Sequence, residues 1–204
     1  MLILYTRTGS CSLASHIALE EAGAAYETRE MDFSVQQQRS PEYLALNPKG
    51  RIPALVTDRG VLSENLAILA YIAQAFPQAR LAPTDPFEFG RAQAINAYLS
   101  STVHVAHAHR HRGYRWADDP AAHEAMRAKV ASNMAECFTL IETEMLEGPW
   151  VLGEAYSICD PYLFTIAGWL EGDGVDPAQF PKVSAHMARM VERPAVRKVL
   201  AALT

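Results

Sequence analysis

Cys11 is the residue of this sequence with the clearest capacity for chemistry. It follows a short apolar segment, Leu2 to Tyr5, and a polar turn, and it stands where a helical pattern begins. The first turn of a helix presents unpaired backbone N–H groups and the positive end of the helix dipole, and both favour an anion such as a thiolate. The dipole contributes at most ~1 kcal/mol, and one pKa unit corresponds to ~1.4 kcal/mol, so it cannot ionise an ordinary thiol by itself. We therefore expect Cys11 to contact another thiol rather than to act as a self-activated nucleophile.

A second motif occupies residues 47–54, which read Asn-Pro-Lys-Gly-Arg-Ile-Pro-Ala and lead into a predicted strand. A cis Ile52–Pro53 bond that faced the first helix would turn the N–H and C=O of Ile52 outward, where they could pair with an extended peptide. A trans proline is commoner by about twentyfold and would only begin a strand. The motif leaves both possibilities open.

The third motif is Ser63-Glu64-Asn65, at the junction of a predicted hairpin and a helix. Ser63 could act only as a helix cap, followed by an acidic residue in the first turn. The same turn could instead offer amide groups and the Asn65 side chain to a carboxylate, while Glu64 accepts from an ammonium group. Such a turn would bind both charges of an amino-acid head group, next to a thiol and an outward backbone edge. A short peptide that carries a thiol fits this combination, so the sequence predicts a site for glutathione.

Four of the seven histidines crowd into residues 104–111, and His104, His107 and His111 share one face of a predicted helix. This spacing could bind a transition metal. No carboxylate or cysteine accompanies the histidines in the sequence, and nearby arginines make the region cationic, which opposes a dication. We therefore expect no metal here, but a polar helix face that lines a cleft, from which His104 could reach the thiol site.

These motifs must be positioned by two different kinds of structure. Residues 1 to about 76 mix strand and helix periods in the order β-α-β-α-β-β-α, and beyond them the strand signals vanish and helical stripes follow. One stripe consists of Ile95, Leu99, Thr102 and Ala106. The sequence predicts an α/β domain at residues 1–77, a proline-rich linker at 78–86 and an all-α domain at 87–204.

Composition restricts the classes of partner. The chain has 204 residues, of which 18 are basic and 23 acidic, with no long basic run, so we expect neither a nucleic-acid surface nor an anionic-membrane surface. The three cysteines, Cys11, Cys137 and Cys159, lie far apart and form no CxxC pair, which indicates a reducing compartment. With no charged leader and no run of 18 apolar residues, we predict neither a secretion signal nor a membrane span, and a cytoplasmic location.

The order of elements and several motifs resemble the cytosolic glutathione S-transferases, most closely the bacterial beta class. The resemblance covers essentially the whole chain. Its motifs are Cys11-Ser12-Leu13-Ala14-Ser15-His16, Asn47-Pro48-Lys49-Gly50, Ile52-Pro53-Ala54-Leu55, and Ser157-x-x-Asp160 followed by Tyr162-Leu163-Phe164.

The resemblance implies a thioredoxin-like N-terminal domain, an all-helical C-terminal domain and a homodimer. It places the class cysteine at Cys11 and the helix-four histidine at His104 as catalytic residues, with Ile52 beside Pro53 pairing with the cysteinyl backbone of glutathione. The remaining binding positions that it implies, together with the neighbouring Ser10, are Tyr5, Gln36, Arg51, Glu64 and Asn65. Three positions depart from the class pattern: Gln36 stands in place of a lysine, Asn65 in place of a serine and Ala97 in place of an asparagine. Arg51 could supply the charge that Gln36 lacks.

The preferred interpretation is an enzyme that binds glutathione as co-substrate and directs its thiolate at a small electrophile, as in detoxification. Two alternatives remain open. In the first, Cys11 forms a mixed disulfide with glutathione and the chain is a thiol transferase or reductase. In the second, the chain is a non-catalytic module that binds glutathione or apolar ligands.

Overall fold

The structure is a computed structural model that describes residues 1–203. Its N-terminal part contains a four-stranded sheet in the order β2-β1-β3-β4. The strands are β1 (Leu2–Thr6), β2 (Tyr26–Glu30), β3 (Ala54–Thr57) and β4 (Gly60–Ser63). β1 pairs with β2 in parallel and with β3 antiparallel, and β3 and β4 form the predicted hairpin. The second strand was predicted to reach Phe33, but it ends at Glu30 because Asp32 accepts bonds from the backbone and hydroxyl of Ser34 and turns the chain.

Three helices complete this part in the predicted order: α1 (Ser12–Glu21), α2 (Pro41–Leu46) and α3 (Asn65–Ala75). α1 ends as the sequence predicts. Gly23 adopts φ +64° and its N–H bonds the Glu20 carbonyl, while the N–H of Ala24 bonds the Leu19 carbonyl, which closes the last turn. α1 therefore has a fixed length, and Cys11 stands directly before its first residue.

The regular elements of the remaining described chain are helices, apart from an isolated β-bridge between Trp150 and Gly153. Its helices are α4 (Pro86–Tyr98), α5 (His104–Arg112), α6 (Pro120–Ala128), α7 (Val130–Leu140), α8 (Cys159–Ala167), α9 (Pro181–Glu192) and α10 (Pro194–Ala201). Within residues 1–203, no helix is both long and apolar enough to cross a membrane.

A π-helical turn, Leu99–Val103, joins α4 to α5. The predicted stripe through Thr102 was wrong at that residue: Thr102 is exposed, and Val103 is buried instead. The π-turn accommodates one more residue than an α-turn and so shifts the inward face by one position. This shift sets the direction in which His104 and the rest of α5 face.

The helical part packs directly on the sheet part, because α8 and α10 both lie against α1. The buried carboxylate of Asp160 fixes the start of α8 by accepting from the backbone N–H groups of Val151 (2.8 Å) and Ser157 (2.7 Å) and from His186 Nε2 (3.0 Å). Buried apolar side chains of both parts form one continuous cluster. The cleft between the two parts therefore has two walls of fixed relative position.

Candidate active site

A cleft of about 1250 Å³ lies between the two parts of the chain. One wall, the sheet wall, is built from the turn after β1, the loop around Gln36, the segment before β3 and the start of α3. The other wall, the helical wall, is built mainly from α5, the turn that follows it, and Trp169. The structure brings together in this cleft every predicted site residue except Tyr5. The lining includes Ser10, Cys11, Gln36, Arg51, Ile52, Pro53, Glu64, Asn65 and His104.

Cys11 occupies the N-cap position of α1 and is half-buried. Its Sγ lies 3.8 Å from the carbonyl oxygen of Ile52, to which the thiol donates. Burial raises the pKa of Cys11 to about 11, although the guanidinium of Arg112 acts in the opposite direction. Cys11 is therefore a neutral thiol at physiological pH. This neutral state agrees with the expectation from the sequence that the helix dipole alone cannot ionise the Cys11 thiol.

Hydroxyl groups hold the turn in front of Cys11. Ser12 Oγ lies 2.7 Å from Thr6 Oγ1 and 2.6 Å from Ser10 Oγ, and Ser10 Oγ also donates to the carbonyl of Arg7 at 2.8 Å. These bonds link the end of β1 to the start of α1. The Cys11 thiol is thus presented by a braced turn.

The Ile52–Pro53 peptide bond is cis. Two side chains fix the approach to it, because Tyr43 Oη and Asn47 Nδ2 both donate to the carbonyl of Arg51, at 2.6 and 2.7 Å. The carbonyl of Ile52 is then held beside the Cys11 thiol on the sheet wall. Of the two possibilities that the sequence left open, the structure has the cis one.

Glu64 and Asn65 lie where predicted, but their side chains already have partners. Glu64 Oε1 accepts from Lys49 Nζ at 2.7 Å, and both side chains are exposed. Asn65 is buried, its Nδ2 donates to the Cys11 carbonyl at 2.6 Å, and its Oδ1 accepts from Ser15 Oγ at 2.5 Å. The expectation that the Asn65 side chain is offered to a ligand carboxylate therefore needs correction, because this amide is a brace between α1 and α3.

On the helical wall, His104 contacts Trp169, with ring centroids 5.0 Å apart. Burial lowers the pKa of His104 to about 3, and the positive charge of Arg112 acts in the same direction. His107 stacks on Trp169 at 4.2 Å between ring centroids, and its Nδ1 lies 2.7 Å from the buried carboxylate of Asp173. His104 is consequently a neutral imidazole above pH 5. The sequence shows no carboxylate near these histidines, but in the folded protein Asp173, from a distant segment, contacts His107.

Comparison with known proteins identifies the architecture. Residues 1–74 match the model of the glutathione S-transferase N-terminal domain, and residues 97–194 match that of the C-terminal domain. The chain is 30% identical over 202 residues to glutathione S-transferase GST-4.5 of Xanthomonas campestris pv. campestris, covering 98% of this chain and 97% of that protein. It belongs to the glutathione S-transferase family.

Solved structures agree with this assignment. A glutathione transferase homologue from Sulfitobacter, solved with bound glutathione, superposes with a TM-score of 0.96 at 45% identity and covers 99% of this chain and 98% of its own. A bacterial beta class glutathione S-transferase from Sphingomonas chungbukensis gives a TM-score of 0.86 at 32% identity, covering 99% of this chain and 100% of its own. The family and the α/β plus all-α fold inferred from the motifs are confirmed.

Tyr5 departs from what the glutathione S-transferase resemblance implies. Its side chain is buried, its hydroxyl accepts from Arg29 Nη1 at 3.0 Å, and its ring packs on Tyr43 at 5.2 Å between centroids. Tyr5 is therefore a core residue of the sheet rather than a residue of the cleft. Its position on β1 explains this, since side chains alternate between the two faces of a strand.

Arg112 and Arg115 line the cleft and were not among the predicted site residues of this glutathione S-transferase. Arg112 is half-buried at the end of α5, and Arg115 is exposed in the turn that follows. A signal for Arg112 is present in the sequence, because residues 104, 108 and 112 recur at intervals of four and share a helix face. Arg115 lies outside α5, so the same period could not place it.

Among residues 1–203, the structure contains no group of three histidine, cysteine or acidic side chains arranged to hold a metal ion. His107 Nδ1 is directed at Asp173 and not at the other histidines of α5.

Proposed function

We propose that this glutathione S-transferase binds glutathione in the cleft and catalyses transfer of its sulfur to a small electrophile. The observation that carries the proposal is the Cys11 thiol facing the Ile52 carbonyl at 3.8 Å in a cleft shared with His104. The bound glutathione of the Sulfitobacter relative supports the same ligand for this chain.

The sheet wall supplies the proposed binding groups. The backbone of Ile52, ahead of cis Pro53, would pair with the cysteinyl residue of glutathione, and Glu64 would accept from its ammonium group. Gln36 and Arg51 lie where they could meet the glycyl carboxylate, since both line the cleft. Ser10 and the backbone at Asn65 complete the wall, while the Asn65 side chain maintains its shape.

In the proposed mechanism, bound glutathione supplies a nucleophilic sulfur, and the protein lowers the cost of its negative charge. The neutral Cys11 thiol lines the cleft, and its single S–H, which donates to the Ile52 carbonyl at 3.8 Å, would turn to the glutathione sulfur in the complex. A donor to an anion stabilises it more than a donor to a neutral group does. The guanidinium of Arg112 adds positive potential at the same place, because it lowers the pKa of Cys11. His104, being neutral, can accept or donate one hydrogen bond without adding charge.

The same proposal includes the domain boundaries, the oligomeric state, the cellular location and the partners of this chain. The domain division at 78–86, the homodimer and the cytoplasmic location are features that we propose for this chain as typical of its family. Glutathione and a small electrophile are its proposed partners, and we propose no nucleic-acid partner.

The test combines binding and turnover. We expect Cys11→Ala to bind S-methylglutathione within about threefold of the wild type by calorimetry. Its kcat/KM with 1-chloro-2,4-dinitrobenzene should fall by roughly tenfold or more, since a hydrogen bond to a charged group contributes ~1.5 to 3 kcal/mol. Cys137→Ala, at a buried cysteine of α7, is the matched control and should change neither quantity. Failure of the wild type to bind glutathione would contradict the function, and unchanged rates in Cys11→Ala would remove Cys11 from catalysis.

The redox alternative is tested with the same proteins. A mixed disulfide requires the Cys11 thiolate, and a pKa of about 11 leaves roughly one thiolate in 10,000 at pH 7. We therefore expect no glutathione adduct on Cys11 by mass spectrometry after treatment with glutathione disulfide. A stoichiometric adduct would favour the thiol-transferase function instead.

A further inference from the structure

The cleft carries a charge opposite to that of the whole chain. The protein has a formal net charge of −5, yet five arginines line the cleft. They are Arg7, Arg39, Arg51, Arg112 and Arg115. Glu64 is the one carboxylate among the described lining residues, and Lys49 already binds it at 2.7 Å. The cleft is therefore strongly cationic and attracts anions.

The sheet wall alone can balance the charges of glutathione. Glutathione carries two carboxylates and one ammonium group, and this wall offers three arginines together with Glu64. Arg112 and Arg115 stand on the helical wall, at the end of α5 and in the turn behind it. They are in excess of what the peptide part of glutathione requires.

Among the described residues, Arg112 and Arg115 have no acidic partner, unlike most arginines of the helical part; Arg189 has none either, but it donates to the carbonyl of Pro149 at 2.7 Å. Arg110 reaches Asp173, Arg127 reaches Glu124 and Arg193 reaches Glu21. In residues 1–203, no carboxylate lies within 4.0 Å of either Arg112 or Arg115. A half-buried guanidinium without a counter-ion is costly, and an anionic ligand removes that cost.

Aromatic residues surround the two arginines. Tyr114 and Trp116 lie in the turn beside Arg115, and Trp169 lies behind His104; all three line the cleft. Flat apolar surfaces next to guanidinium groups fit a small unsaturated or aromatic molecule that carries a carboxylate.

We propose that the electrophile of this enzyme is a small unsaturated or aromatic molecule that carries a carboxylate, and that Arg112 and Arg115 bind this carboxylate. The inference rests on the proposed function and specifies its second substrate. The alternative is that Arg112 and Arg115 bind the anionic sulfur of glutathione. A neutral electrophile distinguishes the two, because it requires the same sulfur and has no carboxylate.

The experiment uses 4-chloro-3,5-dinitrobenzoate and its methyl ester. In both reactions the glutathione sulfur forms a bond to the ring carbon, chloride leaves with the electron pair of the C–Cl bond, and the thiol proton passes to the buffer. Each kcat/KM is divided by the uncatalysed rate constant, which corrects for the different reactivity of the two rings. Arg112→Gln, Arg115→Gln and the exposed Arg59→Gln, outside the cleft, are compared with the wild type.

We expect the wild type and Arg59→Gln to prefer the carboxylate by roughly tenfold or more, as for a charge-assisted hydrogen bond. Arg115→Gln should lose most of this preference while its ester rate stays within about threefold. Arg112→Gln should also lose most of the preference, but its ester rate should fall as well, because the Arg112 charge also acts at Cys11 and the glutathione sulfur. As a second readout, 3,5-dinitrobenzoate should bind the complex with S-methylglutathione at least fivefold more tightly than its methyl ester does, and Arg115→Gln should abolish the difference. Arg115 is exposed, so this variant tests the proposal even if Arg112→Gln fails to fold.

Equal normalised rates for the two electrophiles in the wild type would overturn the proposal and leave the transferase function standing. A loss of both rates alike in Arg115→Gln, with the preference for the carboxylate unchanged, would also overturn it, because Arg115 would then serve the glutathione sulfur. Absence of turnover with both compounds, together with absence of glutathione binding, would contradict the proposed function itself.

Discussion

The two walls of the cleft are built on different principles. On the sheet wall the polar groups bind one another: Asn65 braces the Cys11 carbonyl, Ser10 bonds Ser12, and Asn47 holds the carbonyl of Arg51. On the helical wall, Arg112 and Arg115 have no acidic partner among the described residues. Arg7, Arg39 and Arg51 of the sheet wall have no acidic partner among the described residues either, but they stand beside this hydrogen-bonded frame, which is preorganised for a ligand of constant shape. The helical wall presents its two arginines at the end of α5 and in the turn that follows.

The largest effect should come from breaking the sheet wall at Asn65. Asn65→Ala removes one buried and one part-buried hydrogen bond. The Ser15 hydroxyl loses this partner, and among the described residues the Cys11 carbonyl keeps only its bond from the Ala14 N–H. We expect the free energy of unfolding to fall by about 2 to 4 kcal/mol, since an unsatisfied buried group costs about 1 to 3 kcal/mol. Urea unfolding at pH 7 measures it.

Gln74→Ala is the matched control for Asn65→Ala, because Gln74 is an exposed amide on the same helix, α3. Its free energy of unfolding should stay within about 0.5 kcal/mol of the wild type. If Asn65→Ala behaved like this control, the bonds of Asn65 would not stabilise the sheet wall, and the contrast between the walls would lose its basis.

The sheet wall was also the wall that the sequence could predict. Its residues belong to short contiguous motifs, and neighbours in sequence there are neighbours in space: Ser10 stands next to Cys11, Ile52 next to Pro53 and Glu64 next to Asn65. Local turn and cap chemistry therefore carried most of the information. The exception is the bonding of Asn65 to Cys11, which joins residues 54 positions apart and has no local signature.

The helical wall was less predictable because its geometry depends on register and on distant contacts. A regular helical period placed Thr102 inward, whereas the π-turn places Val103 there. Asp173 meets His107 from 66 positions away. Neither the extra residue of a π-turn nor a contact of that separation follows from local propensity.

An intermediate effect is expected from His104 as the pH falls. Its pKa is about 3 in the folded protein and 6.5 as an ordinary histidine, so the unfolded chain binds more protons between these values. Stability therefore decreases as the pH falls below 6.5, by at most about 2 kcal/mol from this group between pH 6.5 and pH 5. Urea unfolding at pH 7 and pH 5 should show a smaller acid loss in His104→Gln than in the wild type.

Burial also lowers the pKa of His16, so both the wild type and His104→Gln lose some stability in acid through this group. His16 is present in both proteins, and the difference between their acid losses isolates His104. An equal acid loss in the two proteins would mean that His104 is not held neutral by the helical wall.

The smallest effect concerns Lys49, whose exposed bond to Glu64 a ligand could replace. Both side chains are about half exposed, at 48% and 57%, and such pairs contribute about 0 to 1 kcal/mol. Lys49→Met should therefore leave the free energy of unfolding nearly unchanged. Because Lys49 competes with the ammonium group of glutathione for Glu64, we expect glutathione to bind roughly two- to threefold more tightly by calorimetry.

Lys129→Met, at an exposed lysine far along the chain, controls for the loss of one positive charge and should not alter glutathione binding. Weaker binding in Lys49→Met would show that Lys49 attracts a carboxylate of glutathione rather than competing for Glu64. In that case Lys49 would join Arg51 as a cation that binds glutathione, and the sheet wall would exchange no internal ion pair for a ligand group. Tighter binding keeps the two walls distinct, since the sheet wall would then exchange an internal ion pair for a ligand group while the helical wall gains a counter-ion that it never had.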